Sequence, residues 1–125
     1  MSGSPSADPG PRRLRQSCRS PYLTDHHLRL FLEEAVAPTF AVGRARLWAP
    51  TRGSPLEALA RQVGMYLAHV GFGLTLAEVA RLFGRHPKTV AHACALVECR
   101  RDCATFDRSL DLLEGALRML SPHPA

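Results

Sequence analysis

Lysine is nearly missing from this chain. Of its sixteen basic residues only Lys88 is a lysine, and the rest are arginine. Lys88 stands between Pro87 and Thr89, so the G-x-x-x-x-G-K-S/T loop that cradles nucleotide phosphates is not present. No nucleotide is expected, and hydrolysis of one is improbable. Long apolar runs are also missing: none approaches the roughly 18 residues needed to span a membrane. The first residues lack the continuous apolar core of a secretory signal. A cytoplasmic protein is therefore expected, with no membrane partner. The four cysteines include no C-x-x-C knuckle. Cys94, Cys99 and Cys103, with His92 nearby, lack the paired spacing of structural zinc sites, so neither metal nor cofactor is expected. His92 has no identifiable nucleophile or orienting acid, which argues against an enzyme. No strand pattern and no internal repeat can be defended.

What is present is basic and helical. Sixteen basic residues face eleven acidic ones in 125, and the isoelectric point is near 9.6. That balance suits nucleic acid but does not require it. Residues 1–20 hold Arg12, Arg13, Arg15 and Arg19 and one acid among Pro, Gly and Ser. Such a segment cannot bury apolar surface and reads as a disordered basic tail. It is either a solvated leader or a flexible arm on phosphates. Residues 21–121 form one domain.

Within that domain Thr24 is a plausible cap for a helix holding Leu28, Leu30, Phe31 and Leu32, which stops near Pro38. A second helix, from about Pro55 to Val70, carries Leu56, Leu59, Val63, Tyr66, Leu67 and Val70 as one apolar stripe, with Arg61, Gln62 and His69 outside it. Gly71 and Gly73 stop it. Thr75 and Glu78 spell a capping box, and Leu74 and Val79 a hydrophobic staple. Leu76, Val79, Ala80 and Phe83 form the buried side of the short helix that follows, which Gly84 ends in a left-handed position. His86 then caps a helix with Pro87 at its first position. Val90, Ala93, Cys94 and Val97 form its buried stripe, and Lys88, Ala91, His92 and Ala95 project oppositely. A closing helix over Thr105 to Leu120 buries Phe106, Leu110, Leu113, Leu117 and Leu120. Its outer acids, Asp107, Asp111 and Glu114, should point away from DNA. The fold class is all-α, a small helical bundle containing a helix-turn-helix of Trp-repressor-like type.

Three runs carry a resemblance. RQVGMYLA, from Arg61, resembles RQ-x-AMYLA of the C-terminal DNA-binding domain of the bacterial replication initiator DnaA. TLAEVARLFGR resembles its SLPEIG-x-FG-x-R helix and turn. KTVAHACALVE resembles its TTV-x-HA-x-x-x-IE recognition helix. Thr24 to Trp48 matches the family's long first helix and short second one more weakly. The resemblance implies a stand-alone helix-turn-helix domain without the ATPase module, whose partner is double-stranded DNA read in the major groove. Arg85, His86, Lys88, Thr89 and His92 would approach bases or flanking phosphates, Arg61 and Gln62 would hold the backbone, and Arg52 would reach the minor groove. A homodimer is left open. The departures lie in the turn, where the family's D-H-T-T reads His86, Pro87, Lys88, Thr89, and in Ala95, which replaces a basic residue. The arginine-rich loop is reduced to Thr51, Arg52, Gly53. Sequence-specific DNA binding in transcription regulation or control of replication initiation is the expected function. The alternative is a protein-interaction domain that kept the fold and lost DNA affinity.

Overall fold

The computed structural model describes residues 24–120, except for the Leu120 side chain. The basic tail assigned to residues 1–20 lies outside them. All regular structure among the described residues is helical. In chain order it comprises α1 (Asp25–Phe40), a 3-10 turn (Arg44–Trp48), α2 (Pro55–Tyr66) continued by a π turn (Leu67–Gly71), α3 (Leu76–Phe83), α4 (Pro87–Arg100) and α5 (Ala104–Leu120).

The helix starts follow local chemistry. Thr24 caps α1 by accepting from the His27 amide at 3.2 Å. The His27 ring reaches back to the Thr24 amide, taking the part a glutamate usually plays in a capping box. Ser54 with Glu57 and Thr75 with Glu78 form capping boxes on α2 and α3. Leu74 and Val79 are both buried, as a staple across the α3 cap requires. Gly84 ends α3 at φ 67°, a left-handed conformation that glycine adopts at little cost. His86 caps α4, with Pro87 at the first position.

Two helices depart from their expected faces. In α1, Leu28 and Leu32 are buried but Leu30 is 40% exposed, because two residues on from Leu28 is about 200° around the helix. The helix also runs through Pro38 and closes at Ala41 in the left-handed region. In α2 the expected stripe fails at both ends, with Leu56 and Val70 46% and 49% exposed. Leu56 lies in the first turn, and the π turn widens the helix and carries Val70 outward. Between those ends α2 is buried on most sides, since α1, the 3-10 turn and α4 all pack on it. Gly64 allows the closest approach: a Cβ there would sit 3.2 Å from the Phe83 ring.

The remaining helices close the core. Val90, Ala93 and Val97 bury one face of α4, and Leu110, Leu113 and Leu117 bury one face of α5. Cys94 is half-buried at the edge of the α4 stripe, and burial pushes its thiol up to about 11. Cys99 and Cys103 are exposed. Because the thiolate is the reactive form, Cys94 should be alkylated far more slowly than Cys99 and Cys103 at neutral pH. Peptide mapping after a timed iodoacetamide pulse checks this, and equal labelling of the three would contradict the burial of Cys94.

Candidate nucleic-acid interface

The loop between the 3-10 turn and α2 faces the first turns of α4, and an open groove of about 320 Å³ lies between them. Arg52, Arg61, Gln62, Arg85, Thr89 and His92 line it, with Ala58, Met65 and Ala93 at its floor. Six of the eight residues singled out in the sequence therefore meet at one site, although they come from two helices and two connections.

Arg61 is placed differently from the expectation. It is 4% exposed, and its guanidinium is turned into the loop. It donates to the carbonyls of Leu47 at 3.3 Å, Arg52 at 3.1 Å and Arg46 at 2.7 Å. The planar fork sets three separate nitrogens against three spaced carbonyls, whereas the donors of a lysine all diverge from one nitrogen. Arg61 thus positions the loop instead of standing outside the apolar stripe as a phosphate clamp. Burial lowers its pKa, and the nearby charges of Arg85 and Arg46 lower it further.

Around that anchor the loop is tightly held. Arg85 donates to the Ala49 carbonyl at 2.9 Å, tying the turn before α4 to the loop. Arg46 pairs with Glu57 at 3.2 Å. The same Glu57 oxygen accepts from the Ser54 amide, and these contacts hold its carboxyl below the usual range, with the Arg46 hydrogen bond the larger cause. Gly53 is required twice over: its φ is 72°, and a Cβ would fall 2.1 Å from the Glu57 carboxylate. Arg52 is exposed beside it and forms no ion pair among the described residues.

On α4, Lys88, Thr89 and His92 are exposed, while Gln62 on α2 is half-buried. The Lys88 side chain makes no hydrogen bond or ion pair among the described residues; its amide donates to His86 Nδ1 at 3.0 Å. An imidazole whose Nδ1 accepts carries its proton on Nε2 when neutral. His86 therefore offers a donor outward. With Lys88 it makes the start of α4 donor-rich, at the helix end whose exposed amides already favour anions.

Sequence reasoning missed a polar hub on the far side of the molecule. Arg101, just past α4, donates to Asp107 and Asp111, each at 2.5 Å, to Glu114 at 3.1 Å and to the Tyr66 hydroxyl at 2.8 Å. Tyr66 in turn donates to Glu98. Arg101 is held protonated, foremost by Asp107, and burial raises the Tyr66 pKa. Asp107, Asp111 and Glu114 recur on one face of α5, but nothing in the sequence named the arginine that gathers them.

Among the described residues no group of three or more His, Cys, Asp or Glu could hold a metal, and no helix is long and apolar enough to cross a membrane. No curated protein matches the chain. The family described as Bacterial dnaA protein helix-turn-helix matches residues 32–97, just over half of the chain. That span runs from the middle of α1 to the last buried residue of α4 and includes the whole groove.

Proposed function

Because the chain belongs to the bacterial DnaA helix-turn-helix family, a family of DNA-binding domains, we propose that it binds double-stranded DNA sequence-specifically, with the start of α4 in the major groove. Its role on this reading is regulation of transcription or of replication initiation. One observation carries the reading: Arg52, Arg61 and Arg85 line one open groove, and Arg52 and the exposed Lys88 have no carboxylate partner among the described residues. A cationic groove that repels itself is relieved by phosphate. Arg52 reaches towards the minor groove. Lys88, Thr89 and His92 approach base edges, and Gln62 and Arg85 support the backbone contacts.

Specificity follows from the donors. His86 Nε2–H and Lys88 Nζ suit acceptors such as guanine O6 and N7, whereas the acid found at the position of His86 in the resembled family can only accept. A guanine-containing preference, shifted from the initiator's usual box, is the expected result. The second reading, a protein-interaction domain, draws on the outer face of α4 beyond Lys88. There Ala91, Ala95 and Leu96 are exposed and no cation follows until Arg100.

Salt-dependent titration decides between the two. Each phosphate neutralised contributes about 0.9 to the negative slope of log K against log salt. Wild-type protein should show a slope of a few units. Lys88→Ala should reduce it by about one while leaving the melting temperature unchanged. A flat response in wild-type protein would overturn the DNA reading.

A further inference from the structure

α5 closes the core with one face and leaves an apolar ridge on the other. Leu112 and Met119 are 70% and 88% exposed, more than any other large apolar side chain among the described residues. Seven residues, about two turns, separate them, so they stand in line on one side of the helix. Gly115 lies between them, and a Cβ built there would meet no atom within 4 Å. Two charges flank the ridge on the same side, also seven residues apart. Asp111 is held at 2.5 Å by Arg101, and its side chain remains 63% exposed. Arg118 is exposed and has no ion-pair partner among the described residues.

We propose that this ridge joins two copies of the chain, with their α5 helices packed antiparallel about a two-fold axis near Gly115. The pattern complements itself when read backwards. Leu112 meets the partner's Met119, and the same contact repeats across the axis. On the flank, Asp111 meets the partner's Arg118, again twice. Parallel packing about a two-fold axis would instead turn the two charged flanks to opposite sides of the interface, so that Asp111 and Arg118 could not pair. Gly115 at the crossing lets the backbones approach, and the contact is isologous, as a two-fold dimer requires. Arg101 already orients Asp111, which lowers the entropy lost on pairing. The interface leaves the groove open, because α5 packs on α1 and the π turn. If the DNA reading above holds, two recognition helices related by this axis would favour inverted repeats.

Sedimentation velocity of the full chain without DNA tests the proposal independently of that reading. A concentration-dependent dimer is expected, with a dissociation constant raised about tenfold or more in Leu112→Glu and in Met119→Glu. Arg118→Asp should weaken the dimer, and its combination with Asp111→Arg should restore part of it. At protein concentrations below the dimer's dissociation constant, circular dichroism melts of Leu112→Glu and Met119→Glu should match wild type, since neither side chain contributes to the core. A chain that stays monomeric at its highest soluble concentration would overturn the proposal. So would a dimer that Leu112→Glu leaves unchanged.

Discussion

Arg61→Ala is expected to destabilise the domain by about 3–5 kcal/mol, the largest effect of any substitution in the groove. The guanidinium serves the carbonyls of Arg46, Leu47 and Arg52 together, and each hydrogen bond from a charged donor contributes roughly 1.5–3 kcal/mol. Water entering the vacated space recovers part of that, which keeps the total below the simple sum. For a domain of this size each kcal/mol moves the melting temperature by about 4–8 °C, so the shift should exceed about 12 °C. Arg61→Lys should recover little, because an ammonium on a flexible stem cannot address three acceptors in one plane. DNA affinity should fall in both variants even well below their melting temperatures, since the loop bearing Arg52 loses its anchor. Thermal denaturation followed by titration of the folded variant checks both parts. A variant that melts like wild type yet binds poorly would return Arg61 to the direct phosphate contact expected from the sequence.

The second large effect belongs to the hub behind the recognition helix. Arg101→Met should cost about 2–4 kcal/mol, because Asp107, Asp111 and Glu114 lose their shared cation and the Tyr66 hydroxyl loses a donor. Three carboxylates left together repel one another, whereas in the wild-type chain the same three pair with the guanidinium. Added salt screens both the repulsion and the pairing, so the deficit should shrink as ionic strength rises. Urea denaturation of both proteins at low and high salt measures the effect. A gap that stays constant with salt would mean that Arg101 acts through packing on the Tyr66 ring, 5.8 Å from its centroid, and not through its charge.

The two arginines show where sequence reasoning reaches its end. Arg61 lies within an ordinary helix and Arg101 just past the end of one, and in each case deciding partners are remote along the chain. Arg61 lies outside the apolar stripe of α2 by periodicity, yet it is buried because the 3-10 turn and its loop fold over that side. The acids that Arg101 gathers were visible as an outer face of α5, but their neutralisation was not.

Local chemistry was legible wherever the governing interaction spans only a few residues. Thr75 with Glu78, Gly84, and His86 with Pro87 determine where α3 begins and ends and where α4 starts, because caps and left-handed turns are decided within one helical turn. The buried stripe of α4 was legible for the same reason: Val90, Ala93 and Val97 repeat at the helical period. So was the outward start of that helix, with Lys88, Thr89 and His92 exposed. Tertiary structure alone decided the rest. It turned Leu30, Leu56 and Val70 outward, because the share of a helix that is buried depends on how many neighbours surround it. It also brought Arg52, Arg61 and Arg85 to one groove, since backbone carbonyls of the loop draw in Arg61 and Arg85 from elements that sequence periodicity treats separately.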